Sequence, residues 1–233
     1  LGNEAPDSSA ANPVKPMPLP PDFDMASPIG GEIWRGGDVR EVLWSAPRAL
    51  KLIADSLSIL YSIDNGSTWV LIGENETNDG SFDWTVPCVD SNECLVTVRA
   101  TKESGNASYS ISESPFAIDS TAPTVRVLAP DGRESLSAGA AQYIQWTASD
   151  SSAIKTVDIY YSSNGGLGWT LISAGETNDG TYLWNVPQTS GYDIRVKVSA
   201  TDAAGNANSD MSDALFVIKD GSQEKSGTLY DGI

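Results

Sequence analysis

The sequence predicts an all-β protein made of two β-sandwiches in tandem. Three observations favour this fold class: an internal duplication, apolar residues at every second position, and clusters of turn-forming residues between short apolar segments. The length of 233 residues fits two domains, because a domain typically has roughly 100 to 150 residues.

The duplication is clearest in the sequence ETNDG, which occurs at 76–80 and again at 176–180. Residues 59–118 and 159–218 are identical at 25 of 60 positions without a gap. The earlier part of each copy aligns at an offset of about 102, which pairs Pro28 with Pro130 and Trp44 with Trp146. A repeat of this length indicates two copies of one structural unit.

Strands are predicted from the spacing of apolar residues. Segment 194–200 (IRVKVSA) alternates apolar and polar residues, as a strand does when one face is buried and the other is solvated. The equivalent segment 94–100 (CLVTVRA) places Cys94 on the core side. Further strand candidates in the second copy are 123–128, 142–148, 154–163, 168–173, 180–186 and 213–218.

Tight turns are predicted where residues that tolerate positive φ separate two strands. The sequences DNG at 64–66 and NGG at 164–166 are of this kind, and the NDG within each ETNDG follows one turn later. We therefore interpret ETNDG as turn chemistry rather than active-site chemistry.

Paired tryptophans are predicted to fill the two cores, since large rings span the thickness of a sandwich. The six are Trp44, Trp69, Trp84, Trp146, Trp169 and Trp184. A sugar-stacking surface would instead need exposed, coplanar rings. Trp34 has no tryptophan counterpart, and it is the best single candidate for an exposed ring, although a contact at a strand edge is the favoured interpretation.

Several motifs resemble a known class of module. PIGGEIW (28–34), YSIDNGSTW (61–69) and GSFDWTVP (80–87) are similar to bacterial extracellular immunoglobulin-like and fibronectin-III-like repeats, and to the sandwich domain of yeast cell-wall glucan-assembly proteins. DSTAP (119–123) and ATDAAGN (200–206) resemble the bacterial version. The resemblance implies two immunoglobulin-like Greek-key sandwiches, at 27–119 and 120–219. Modules of this class serve as stalks, spacers, adhesins and accessory domains.

The charge and composition restrict the function. A net charge of −17 disfavours nucleic acid and anionic membrane surfaces, which would repel the chain. The chain has no histidine, so Ser-His-Asp systems and imidazole zinc sites cannot be built. No apolar run reaches the 18 or so residues of a transmembrane segment. Paired carboxylates are the remaining enzyme chemistry, and no such pair is recognisable, so we expect no enzyme.

Cys88 and Cys94 are close enough in sequence to form a disulfide across one turn. Such a bond would indicate an extracytoplasmic location, outside the cell or on its surface. Two reduced thiols in a cytosolic protein remain the alternative, whereas a metal site would lack further soft ligands.

The N-terminal segment, the C-terminal segment and the junction between the two copies predict how the copies are connected to each other and to other chains. Residues 1–26 contain six prolines and form a semi-rigid tether. The junction at 119–123 is too short for a flexible connection. In the tail, 220–233, the apolar residues Leu229, Tyr230 and Ile233 either dock on another protein chain, including a further copy in a polymer, or fray.

Three aspartates are predicted to meet at this junction. In the expected topology the entering linker and two loops share one end of the sandwich, and these segments contain Asp119, Asp150 and Asp202. A hard divalent cation such as Ca²⁺ would relieve their repulsion. The alternative is that Asp150 and Asp202 only cap turns. Lys102 replaces the third aspartate in the first copy, which restricts such a site to the internal junction.

These features favour a structural or adhesive surface protein, a stalk or fibre subunit that displays two stiff modules. A carbohydrate-binding accessory module, recognising cell-surface glycan, is the alternative. A row of exposed aromatic rings on one sheet face would distinguish the second from the first.

Overall fold

A computed structural model describes residues 24–46 and 51–220. These residues form two β-sandwiches, each with a three-stranded and a six-stranded sheet. The predicted all-β class and the tandem sandwiches are therefore confirmed. Most of the predicted tether and the tail with Leu229, Tyr230 and Ile233 lie outside the described residues.

The first sandwich contains nine strands. They are β1 (Asp24–Ser27), β2 (Ile33–Arg35), β3 (Val39–Ser45), β4 (Leu57–Ser62), β5 (Val70–Glu76), β6 (Ser81–Thr85), β7 (Ser91–Thr101), β8 (Ala107–Ile111) and β9 (Phe116–Asp119). One sheet has the order β1-β3-β6, and the other has the order β2-β9-β7-β4-β5, with β8 also paired to β7. Strand β1 starts inside the segment assigned to the tether, because Met25 is buried and pairs with Trp44 of β3.

The second sandwich repeats this arrangement. Its strands are β10 (Thr124–Ala129), β11 (Ser135–Ser137), β12 (Ala141–Ser149), β13 (Ile154–Ser162), β14 (Thr170–Glu176), β15 (Thr181–Asn185), β16 (Gly191–Asp202), β17 (Ala207–Met211) and β18 (Phe216–Lys219). The sheets have the orders β10-β12-β15 and β11-β18-β16-β13-β14, with β17 paired to β16. The sequence did not predict β11 or β17, which are short and largely exposed.

Each sandwich has a core of alternating inward residues. In β16 the buried positions are Ile194, Val196, Val198 and Ala200, as the alternation predicts, and Cys94 is buried at the equivalent place in β7. Four of the six paired tryptophans are also buried: Trp44, Trp84, Trp146 and Trp184.

Trp34 is not an exposed ring, since it packs inward from β2 at the edge of its sheet, and the core prediction is wrong for Trp69 and Trp169. Trp34 is only 7% exposed, and its ring lies 4.9 Å from that of Phe116 and 6.0 Å from that of Trp84 between centroids. The pairing of β2 beside β9 turns this ring inward. Trp69 and Trp169 are instead half-buried, and they lie beneath Arg99 and Lys197 respectively.

The predicted turns are confirmed. Positive φ angles occur at Asn65 and Gly66 in the first copy and at Gly165 and Gly166 in the second. The glycine that ends each ETNDG, Gly80 or Gly180, also has positive φ, a conformation that glycine adopts without steric cost.

Candidate metal site between the sandwiches

The connection between the sandwiches is short and hydrogen-bonded. Strand β9 ends at Asp119 and β10 begins at Thr124. Asp90 accepts hydrogen bonds from the Ser120 amide at 2.7 Å and from the Thr121 hydroxyl at 2.6 Å. The Ser120 hydroxyl donates to the Val89 carbonyl at 3.0 Å. The segment is therefore fixed to the end of the first sandwich.

Asn206 of the second sandwich connects to the first. Its Oδ1 accepts from Arg35 Nε at 3.0 Å, and its Nδ2 donates to the Asp119 carbonyl at 3.2 Å. The same Nδ2 donates to Asp202 Oδ2 at 3.0 Å. Asn206 is 5% exposed, whereas its counterpart Asn106 in the first copy is exposed.

The three predicted aspartates meet at this connection. Asp119 ends β9, Asp150 follows β12, and Asp202 ends β16. One carboxylate oxygen from each lies within 4.8 Å of those from the other two. Asp119 and Asp202 are buried, and Asp150 is half-buried. The sequence therefore predicted which side chains come together here.

Each aspartate also uses an oxygen to hold a turn. Asp150 Oδ1 accepts from the Ser152 amide at 2.8 Å, and Asp202 Oδ1 accepts from the amides of Gly205 and Asn206. Asp119 Oδ1 accepts from the Thr121 amide at 3.0 Å. The turn-capping interpretation is thus correct for Asp150 and Asp202, and it is compatible with the cluster because each carboxylate has a second oxygen.

The second oxygen of Asp119 has no hydrogen-bond partner. Asp119 is 4% exposed, and its Oδ2 is buried without a donor. A buried carboxylate oxygen without a donor or a cation is unfavourable. This oxygen is the strongest local indication that the site accommodates a ligand.

Sequence reasoning missed a fourth carboxylate, that of Asp90. The hydrogen bond from the Thr121 hydroxyl, with that from the Ser120 amide, lowers the pKa of Asp90, so that it is ionised at neutral pH. Asp90 lines a groove of about 550 Å³ together with Asp119, Ser152 and Ala153. The sequence did contain a signal for Asp90, namely a difference between the two copies. The second copy has Ser190 at the equivalent position.

The two cysteines are free thiols in the structure. Cys88 is exposed, whereas Cys94 is buried and its Sγ lies 3.6 Å from the Ser91 carbonyl oxygen. Burial raises the pKa of the Cys94 thiol. The disulfide between them stays a prediction.

This chain is similar to several known proteins. A family model described as a bacterial Ig domain matches residues 123–196. Fibronectin(III)-like modules of Clostridium thermocellum CbhA are 20% identical, with a TM-score of 0.48 over 87% of this chain and 96% of theirs. The Ig1-2 module of Drosophila receptor protein tyrosine phosphatase DLAR is 14% identical, with a TM-score of 0.27 over 86% of this chain and 100% of that one. Comparison with curated proteins found no match.

The sandwich topology defines the fold class, which is that of two tandem immunoglobulin-like sandwiches. The second sandwich is similar to a bacterial Ig domain. Within the described residues, no helix has the length and hydrophobicity needed to cross a membrane.

Proposed function

We propose that this protein is a non-enzymatic extracellular structural or adhesive surface protein, in which the two sandwiches form a stiff spacer. The hydrogen-bonded connection between them is the observation that supports this function. A spacer holds whatever it displays at a fixed distance, so its modules must not pivot freely.

Several contacts oppose pivoting at the connection. Only four residues separate β9 from β10, and Asp90 binds two of them. Asn206 joins the second sandwich to Arg35 and to Asp119 of the first. Asn208 Nδ2 donates to the Pro123 carbonyl at 2.9 Å, which fixes the other end of the connection. A pivot would break these bonds and expose buried polar groups.

The extracellular location is supported by the class of module. A bacterial Ig domain model matches the second sandwich at residues 123–196, and the motifs DSTAP and ATDAAGN resemble those of bacterial extracellular repeats.

Residual dipolar couplings test the stiffness on the full chain. We expect the amides of both sandwiches to fit one alignment tensor, because a rigid pair tumbles as one body. Two tensors of clearly different magnitude would show independent modules and would contradict the spacer proposal.

Antibody labelling of intact producing cells tests the location. We expect antibodies raised against the purified chain to bind unpermeabilised cells or to detect the chain in the medium. Labelling that requires permeabilisation would contradict a surface role.

Carbohydrate binding, the alternative function, has less support than the spacer function, because of how the aromatic residues are arranged. A groove in the first sandwich contains Trp69, Arg99 and Tyr109, and Tyr109 is 50% exposed. However, Arg99 lies over the Trp69 ring at 5.7 Å from its centroid, and Lys197 lies over Trp169 at 4.6 Å. One face of each half-buried ring is therefore covered by a cation, so these rings do not form the open row that sugar stacking requires.

A further inference from the structure

We propose that Asp119, Asp150 and Asp202 bind one Ca²⁺ ion at the connection between the sandwiches. This inference deepens the proposed spacer function and rests on it for its biological role. The site itself is argued from its own geometry and charge.

The spacing of the carboxylates fits a calcium ion. Their oxygens lie within 4.8 Å of one another. Ca²⁺ binds oxygen at about 2.3 to 2.6 Å, so three ligands spaced evenly around one ion are roughly 4.0 to 4.5 Å apart. A single ion can therefore contact all three carboxylates after side-chain shifts of a few tenths of an ångström.

The three carboxylates lack a direct basic partner in the part of the chain that the structure describes, because Arg35 donates to Asn206 and not to an aspartate. Within residues 24–46 and 51–220, no ion pair involves any of the three aspartates. Asp119 and Asp202 are buried, where like charges interact more strongly than they do in water. The buried Oδ2 of Asp119, which no donor satisfies, is the atom that a cation would bind. These are two independent indications of a missing positive ligand.

The donor set favours calcium over other metals. All three donors are carboxylates, whereas Zn²⁺ prefers nitrogen and sulfur ligands. Each carboxylate is held by a backbone amide through its other oxygen, so the ligands are fixed by turn geometry. Mg²⁺ demands shorter and nearly octahedral coordination, whereas Ca²⁺ accepts irregular sets completed by water.

The duplicated sequence provides an internal comparison. Lys102 occupies the position of Asp202 in the first copy, and Lys219 occupies the position of Asp119 in the second. Ser190 likewise replaces Asp90. Asp90, Asp119 and Asp202 thus have no acidic counterpart at the equivalent position of the other copy, although turn formation alone would favour an aspartate equally in both copies. This difference indicates a role that requires both modules.

An ion at this site would join the modules directly. Asp119 belongs to the last strand of the first sandwich, whereas Asp150 and Asp202 belong to the second. Calcium would therefore add a bridge beside the one that Asn206 already forms, and the stiffness of the spacer would depend on calcium concentration.

Calorimetry on the full, chelator-treated chain tests the site. We expect titration with CaCl₂ to give binding of one ion per chain, and the melting temperature to rise with calcium concentration because the ion binds the folded state. Asp119→Asn and Asp150→Asn should each weaken this binding by about tenfold or more, because a charged ligand is lost.

The variants also separate binding from folding. An asparagine retains an oxygen for the turn, so both variants should melt in chelator at or above the temperature of the unaltered chain, since repulsion is reduced. Asp79→Asn is the matched control, because Asp79 accepts from the Ser81 amide in an exposed turn distant from the connection. It should bind calcium as the unaltered chain does.

Two outcomes would overturn the proposal. One is identical melting in calcium and in chelator with no binding heat, and the other is normal calcium binding by both junction variants. Residual dipolar couplings recorded in chelator distinguish a failure of the calcium site from a failure of the spacer proposal. A single alignment tensor without calcium binding would reject the site and leave the spacer function intact.

Discussion

The repeated asparagine of ETNDG stabilises a buried tryptophan in each sandwich. Asn78 Oδ1 accepts from Trp44 Nε1 at 2.9 Å, and Asn178 Oδ1 accepts from Trp146 Nε1 at 3.1 Å. A buried indole N–H without a partner is unfavourable, so the turn provides the acceptor that allows the ring to enter the core. The motif therefore recurs because each core contains this tryptophan.

We expect Asn178→Ala to destabilise the second sandwich by about 1 to 3 kcal/mol, because the buried Trp146 N–H loses its acceptor. The Ala148 carbonyl also loses a donor, Asn178 Nδ2. Denaturant unfolding followed by tryptophan fluorescence measures the change. Thr177→Ala, one residue earlier in the same turn, is the control and should have little effect. Equal stability of both variants would show that the indole bond contributes nothing.

Sequence reasoning identified this residue as part of a turn but not as a partner of tryptophan. Turn propensity is local, so it is visible in five consecutive letters. The indole lies 34 residues from Asn78 along the chain, and its position depends on the pairing of β3 with β6. Asp90 was missed for a similar reason, because its partners Ser120 and Thr121 are about 30 residues away.

At the scale of strands, equivalent elements of the two copies differ in how their outer faces are covered. Strand β16 alternates buried and half-buried residues, as its sequence predicts. In β7, five consecutive residues from Cys94 to Val98 are buried. Trp69, Tyr109 and Ile111 line the groove over Thr97 on the outer face, so a strand with alternating sequence becomes covered on both sides.

The same limit applies to Trp34, whose short strand Ile33–Arg35 the sequence did not predict. Which face it buries depends on the parallel pairing of β2 with β9, more than 80 residues away in sequence. Local periodicity cannot determine such a pairing.

The predicted disulfide would join Cys88, in the connection between β6 and β7, to Cys94 in β7. We expect material from an oxidising compartment to gain about 2 Da on reduction, the mass of two hydrogens added to one sulfur–sulfur bond. In the reduced chain, Cys88 should react with maleimide under native conditions. Cys94 should react only after unfolding, because it is buried and its pKa is raised. Intact-mass analysis measures both properties, and labelling of Cys88 in unreduced native material would contradict the disulfide.

At the scale of the whole molecule, the duplication predicted two sandwiches and the order of their segments predicted the three aspartates between them. Topology alone brings the entering linker and two loops to one end, so no side-chain detail was needed. The contact of Arg35 with Asn206 could not be predicted in this way. It depends on the orientation of one module against the other, which no local pattern encodes.

Asn206 therefore offers a test of how strongly the two modules are coupled. We expect Asn206→Ala to lower the stability of the second sandwich by about 1 to 3 kcal/mol, because Arg35 Nε and Asp202 Oδ2 each lose a buried partner. Because the bridge to the Asp119 carbonyl is lost as well, residual dipolar couplings of the two sandwiches should diverge toward separate alignment tensors. Asn106→Ala changes the equivalent but exposed residue of the first copy, and it should leave the common tensor unchanged. If the two variants behave alike, the orientation of the modules is set by the four-residue connection rather than by Asn206.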